Sequence, residues 1–192
     1  MERKAFFFDS DRCVGCKTCM VACHKKNNLP EGVWYRHVTS YETGTFPAVS
    51  LYHLSPGCQH CEHPACMAQC PTKAMYRDEA DGTVQHNDDM CIGCGSCVIA
   101  CPYDAPVLVK ELGIAKKCNA CIDTREADGA PTCVAACGTR ALDFGAYDEL
   151  AKRHPNAVDK IAPMPSADIT HPSIFIKGEK RVQDESFHGV ML

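Results

Sequence analysis

Sixteen of the 192 residues are cysteine, and all of them fall into four groups. The first, Cys13, Cys16, Cys19 and Cys23, reads C-x2-C-x2-C-x3-C. The second, Cys58, Cys61, Cys66 and Cys70, carries two extra residues between its second and third members. The third, Cys91, Cys94, Cys97 and Cys101, repeats the first spacing and is followed by Pro102. The fourth, Cys118, Cys121, Cys133 and Cys137, has 11 residues inserted in its middle. Thiols at such spacings can do three things: cross-link as disulfides, hold structural zinc, or ligate iron–sulfur clusters. Disulfides fit poorly, because C-x2-C strains the bond outside redox motifs. The fourth group alone could pass for a zinc site, but zinc does not account for C-x2-C-x2-C-x3-C twice in one chain.

The first and third groups match the run in which three cysteines hold one [4Fe–4S] cubane and the fourth reaches a neighbouring one. Three thiolates within seven residues can wrap a cube, while the x3 spacer carries the fourth sulfur away along the first turn of a helix. Pro71 and Pro102 then end the loop, since proline fixes φ and lacks a donor. Sixteen ligands at four per cubane leave none over, so four [4Fe–4S] clusters are expected. Gly15, Gly93 and Gly95 stand between ligands, where they would either admit backbone N–H groups close to sulfide or merely permit a tight turn. His24, His60 and His63 flank ligands but are not needed as such, the cysteines being sufficient in number. No Ser/His/Asp arrangement, Walker loop or dinucleotide-binding glycine pattern accompanies them, so a non-catalytic role is expected.

The elements that must position these ligands are short. Val33 to Thr39 and Val49 to Leu54 are expected to form a hairpin turning near Glu42-Thr43-Gly44. Ala74 to Arg77 and Thr83 to His86 flank the hairpin dipeptide Asp81-Gly82, and Pro106 to Lys110 and Ile114 to Lys117 flank Gly113. Helices are expected near Cys19 to His24, Cys66 to Cys70, Cys97 to Cys101, Thr132 to Cys137 and Tyr147 to His154. The chain also repeats itself: Asp9 to Cys19 parallels Asn87 to Cys97, and Cys70 to Met75 parallels Cys137 to Leu142. The class that follows is α+β, two ferredoxin-like 2[4Fe–4S] modules. From residue 151 onward, Pro155, Pro163, Pro165 and Pro172 interrupt regular structure, with one apolar strand at Ser173 to Lys177. This tail is expected to be an extended C-terminal arm that lies on a partner.

Composition agrees with a metal-dependent core. Hydrophobic residues make up 45% of the chain, a share that falls to about 37% once cysteine is set aside, thin for this length. A net charge of −4 argues against a nucleic-acid surface. No apolar stretch is long enough for a membrane span. Ala5 to Phe8 is too short for a signal-peptide core, and no twin-arginine pair precedes it.

Over nearly its whole length the sequence resembles the electron-transfer iron–sulfur subunit of anaerobic dimethyl sulfoxide reductase. Related polysulfide and thiosulfate reductase subunits are similar. The resemblance rests on the four cysteine groups in this order, on Cys58-Gln59-His60-Cys61-Glu62-His63-Pro64-Ala65-Cys66, on Cys118-Asn119-Ala120-Cys121 and on Ala141-Leu142-Asp143-Phe144-Gly145. It continues through Asp148-Glu149-Leu150, Ala162-Pro163-Met164-Pro165 and Pro172-Ser173-Ile174-Phe175-Ile176-Lys177. It implies a membrane-associated complex in which such a subunit connects a molybdenum bis-pterin catalytic subunit to an integral membrane quinol-oxidising anchor. It also implies a pairing of the groups. Cys13, Cys16 and Cys19 would share a cluster with Cys137, and Cys118, Cys121 and Cys133 with Cys23. Cys91, Cys94 and Cys97 would share one with Cys70, and Cys58, Cys61 and Cys66 with Cys101. The modules would then be 1–30 with 110–150, and 50–109, with 31–49 a hairpin insertion and 151–192 the arm. Spacing alone leaves the sequential pairing, one with two and three with four, open. Some relatives carry tryptophan and a three-iron cluster at the position of Cys94, so its presence implies four full cubanes. Gly138 stands where many relatives have proline, a position that is not a ligand.

The expected work is electron relay, with potentials tuned by local charge and hydrogen bonds. Arg12, Lys17, His24, Lys25 and Lys26 lie around group one, and Lys116 and Lys117 precede group four. Asp88 and Asp89 precede group three. The first and last groups are therefore expected to house the higher-potential clusters. A free polyferredoxin-type carrier and a zinc-bound structural module are the competing functions. The resemblance places the protein on the outer, periplasmic face of the cytoplasmic membrane, exported with a signal-bearing partner; a cytoplasmic location is the alternative. Four oxidised cubanes would bring the holo-protein to about −12.

Overall fold

The computed structural model describes residues 3–191. Its elements run β1 (Lys4–Asp9), α1 (Thr18–Lys26), β2 (Thr39–Thr43), β3 (Ser50–Leu54), α2 (Ala65–Ala68), β4 (Met75–Arg77), β5 (Val84–His86), α3 (Ser96–Ala100), β6 (Val107–Val109), β7 (Ile114–Lys116), α4 (Arg125–Asp128), α5 (Thr132–Ala135), β8 (Leu142–Ala146), α6 (Tyr147–Arg153), β9 (Ile174–Lys177) and β10 (His188–Val190). The mixture of short helices and strands is α+β, as the sequence implied.

A three-stranded sheet in the order β8-β1-β9 organises the chain, with β1 antiparallel to β8 and parallel to β9. The reason lies in β1. Successive side chains of a strand face opposite ways, so Phe6 and Phe8 enter one core with Cys19, Cys133 and Ile176, while Ala5 and Phe7 enter another with Leu150 and Phe175. Helix α6 closes that second face. Asp148 and Glu149 in its first turn and Lys152 and Arg153 in its last suit the helix dipole.

The ribbons β4-β5 and β6-β7 form where the sequence placed them. The first hairpin is shifted in one arm only: the second, expected over Val49 to Leu54, forms as β3, while the first strand is β2 rather than Val33 to Thr39, and the two pair Thr39↔Leu54 through Thr43↔Ser50. Val33, Tyr35 and the residue between them form no strand, because this stretch packs around Cys23 and Leu29.

The segment 151–192, expected to extend as an arm, contributes to this chain's own core. Ile161, Ile174, Ile176 and Val182 are buried against Phe6, Phe8 and Leu142, β9 completes the central sheet, and β10 pairs with β2. Their apolar area supplies the reason, since prolines end helices without preventing burial of the residues between them. The tail also clamps the second cysteine loop: Glu62 N–H donates to His171 O, His63 N–H to Thr170 O, and Ser173 Oγ to His60 O at 2.9 Å.

Candidate metal centres

Every cysteine is a free thiol. Short helices carry the third cysteine of each group inward: Cys19 on α1, Cys66 on α2, Cys97 on α3 and Cys133 on α5 are all buried. Helix α1 packs on α5, and α2 on α3.

The electrostatic surroundings of the thiols give their neighbourhoods. Burial raises Cys13, and Cys19, Cys137 and Cys16 add to this. Burial pushes Cys23 up to about 12, helped by Cys133 and opposed by the Arg36 cation. Cys118 is held well above the usual thiol range by burial and then by Cys23, Cys58 and Cys133. Burial likewise takes Cys61 up to about 11 and Cys66 up to about 12, with Cys58 and Cys101 contributing to both. Cys97 is raised by burial and then by Cys91, Cys70 and Cys94. Because Cys118 also responds to Cys58, the sites of groups four and two adjoin.

Four thiols behave differently, and they share a local pattern. Cys16 and Cys94 are exposed, and both are lowered chiefly by a side-chain hydroxyl two residues on: Thr18 donates to Cys16 Sγ at 3.4 Å, and Ser96 stands 3.4 Å from Cys94 Sγ. Burial works against ionisation of Cys70 and Cys137, but hydrogen bonds from nearby backbone and from Thr72 and Thr139, each 3.7 Å away, outweigh it. Hydrogen bonds to the charged form favour it. This Cys-x-Ser/Thr repeat stands in the sequence, but nothing there marks it as more than a spacer; the contacts give it its role.

The glycines divide. A Cβ on Gly93 would overlap Gly113 O, and one on Gly15 would lie 2.7 Å from the His53 ring. A Cβ on Gly95 would meet nothing within 4 Å. Gly95 serves its φ of 73°, a conformation that Lys17 holds at 60° in the equivalent position of group one.

The flanking histidines are engaged elsewhere. His24 packs on Trp34 and lies 3.2 Å from Pro30 O, and His63 meets His171 edge to face. His60 Nδ1 accepts from Val84 N–H, while burial and the Lys117 and Arg125 cations keep its ring neutral. The expected charge pattern is altered by one contact. Lys116 Nζ pairs with Asp88, so a cation assigned to group four cancels an anion assigned to group three. Two buried cations remain beside the thiols: Lys117, which the sequence already placed ahead of group four, and Arg36, which no sequence pattern marked. Lys117 Nζ donates to Val84 O and Cys118 O, and Arg36 is only 5% exposed.

The donor set fits iron–sulfur clusters: free thiols gathered from separate loops, with hydroxyl and backbone donors aimed at sulfur. Among the described residues, no three His, Cys, Asp or Glu groups are placed to hold a single metal ion. A cubane, whose thiolates bind four separate irons, asks for a wider placement than mononuclear zinc does.

A 4Fe-4S dicluster domain model matches residues 49–147, and a 4Fe-4S binding domain model matches residues 4–25. The B subunit of anaerobic dimethyl sulfoxide reductase from Haemophilus influenzae is 41% identical over 189 residues, covering 94% of this chain and 91% of that protein. The B subunit of the Escherichia coli reductase is 45% identical over 181 residues, covering 90% and 87%. The thiosulfate reductase electron transfer subunit PhsB of Salmonella typhi is 44% identical over 144 residues, covering 73% and 74%.

Proposed function

This chain belongs to the family of iron–sulfur electron-transfer subunits that includes the B subunit of anaerobic dimethyl sulfoxide reductase, and from that membership we propose that it relays electrons between a quinol-oxidising membrane subunit and a molybdenum bis-pterin catalytic subunit. It is a non-catalytic subunit of an oxidoreductase complex, and it carries iron–sulfur clusters in ferredoxin-type domains. The observation that carries the reading is the set of sixteen free thiols, whose electrostatic neighbourhoods support a division into four.

We assign those neighbourhoods to four [4Fe–4S] clusters: Cys13, Cys16, Cys19 and Cys137; Cys58, Cys61, Cys66 and Cys101; Cys91, Cys94, Cys97 and Cys70; and Cys118, Cys121, Cys133 and Cys23. The packing of α1 on α5 and α2 on α3 supports this over the sequential pairing. Such clusters, when bound, supply one-electron oxidation and reduction. The protein's part is to hold them and set their potentials. Buried cysteines exclude water, and the hydroxyls of Thr18, Ser96, Thr72 and Thr139 stabilise charge on sulfur. The exposed Cys16 and Cys94 are each flanked in sequence by exposed apolar side chains, Val14 and Val21 in one group and Ile92 and Ile99 in the other, which suits two docking faces for two partners. No helix of the described residues is long and apolar enough to cross a membrane, so the membrane step belongs to the anchor. Residence on the periplasmic face, by export with a signal-bearing partner, completes the proposal. Protease access to the subunit in spheroplasts, but not in intact cells, tests that location.

Iron counting tests the ligand sets. The complex with Cys13→Ser plus Cys137→Ser should lose one cluster's iron, leaving about twelve of about sixteen atoms in this subunit. Cys13→Ser plus Cys70→Ser should lose two clusters, leaving about eight. The reverse order would establish the sequential pairing instead.

A further inference from the structure

Arg36 lies in the loop before β2, and its surroundings are unusual for a guanidinium. It is buried. Its Nη1 donates to Ser55 O at 2.6 Å and to Ser55 Oγ at 3.2 Å. Ser55 Oγ in turn stands 3.4 Å from Cys19 Sγ. The Arg36 charge is also felt at Cys133, where it opposes the effect of burial. The Phe6 ring packs at 5.2 Å from its central carbon, and Gly57, next to Cys58, leaves room for it: a Cβ there would stand 3.4 Å from Nη2. Burial opposes its charge, but Cys133, Cys118, Cys19 and Cys23 outweigh that and hold it firmly cationic. With clusters bound, the charges that compensate this buried cation would be those of the four cysteine sulfurs. Three of them belong to the set assigned with Cys23, and Cys19 belongs to the set assigned with Cys13.

We propose that Arg36 is a fixed positive charge shared by the Cys13–Cys16–Cys19–Cys137 site and the Cys118–Cys121–Cys133–Cys23 site, raising both potentials together and keeping them matched for transfer between the two. The inference rests on the ligand sets given above. A guanidinium stays ionised at any working pH, so its effect is constant. Reduction adds negative charge at a site, and a cation buried beside both sites favours that charge at each. It also offsets the repulsion that one reduced site exerts on the other. Arginine suits the place because its guanidinium is anchored on both the carbonyl and the hydroxyl of Ser55 and, being more weakly hydrated than a lysine ammonium, tolerates burial better.

The test is redox-titrated EPR, with iron analysis, on the intact complex carrying Arg36→Gln, Arg36→Lys or Ser55→Ala. In Arg36→Gln, two of the four midpoints should fall, each by about a tenfold change in the reduced-to-oxidised ratio, which is about 59 mV for one electron. The other two should stay. Arg36→Lys should shift the same two by less, and Ser55→Ala should shift only the site that holds Cys19. Full iron with all midpoints unchanged, or a fall at one site only in Arg36→Gln, would overturn the proposal. An equal fall at all four sites would do the same. If Arg36→Gln fails to load iron, the other two variants decide: unchanged midpoints in both reject the shared charge. Failure of the underlying assignment shows separately, in a wild-type complex whose iron or titrating signals do not amount to four clusters.

Discussion

The two glycines of the third cysteine loop should respond very differently to alanine, and the difference can be worked from their surroundings. Both have positive φ, 66° at Gly93 and 73° at Gly95, and that conformation costs a residue with a Cβ about 1–2 kcal/mol. At Gly95 nothing else is added, because the new methyl would meet no atom within 4 Å. At Gly93 the methyl would overlap Gly113 O, a backbone atom in the turn between β6 and β7 that cannot swing aside as a side chain can. Overpacking of that kind adds about 1–3 kcal/mol. Gly93→Ala should therefore destabilise by about 2–5 kcal/mol in all, and Gly95→Ala by about 1–2 kcal/mol. Gly95→Lys should be tolerated like Gly95→Ala, since Lys17 already occupies the matching position at φ 60°. The assay is thermal loss of the cluster visible absorbance in the purified complex, alongside iron content. Gly93→Ala should bleach at the lower temperature and hold less iron at the group-three site. Equal losses in the two alanine variants, or a larger loss at Gly95, would refute the steric argument.

Three further outcomes follow from contacts described above. Thr139→Val removes the hydroxyl beside Cys137 and should lower one midpoint by about 20–60 mV, the equivalent of one hydrogen bond of about 0.5–1.5 kcal/mol, with iron content unchanged in the same EPR titration. Asp89→Lys should raise the group-three midpoint by on the order of 20–40 mV, whereas Asp88→Asn should move it less, because Lys116 already neutralises Asp88. His53 is held below its ordinary value of 6.5 by burial, with Ser40 Oγ 2.9 Å from its Nδ1. A depressed histidine contributes stability above its unfolded value and loses it as pH falls through the lower folded one. Melting temperature should therefore drop with acid below about pH 6.5 in the wild type and drop less in His53→Gln; identical acid limbs would reject that role.

Parts of the fold were legible because local chemistry specified them. Asp81-Gly82 marks the β4-β5 turn, and Gly113 marks the β6-β7 turn. The helices at the cysteine groups follow from ligand spacing. The central sheet was not legible, because β1 is buried on both faces and Ala5 to Phe8 shows no polar alternation to separate strand from helix. The first hairpin was shifted because Val33 and Tyr35, apolar enough to suggest a strand, are used instead to enclose Cys23.

The sequence by itself determined the metal chemistry: ligand type, number and spacing are local properties, and the internal repeat doubles them. Tertiary structure decided which thiols become neighbours, because Cys19 and Cys133 meet only when α1 packs on α5 across more than a hundred residues. It decided that Lys116 cancels Asp88, and that residues 170–173 brace the loop of Cys58 to Cys66. It also buried Arg36 beside cysteines from two groups. Charge pairing and burial are set by distance in space, and a one-dimensional pattern carries no measure of that distance.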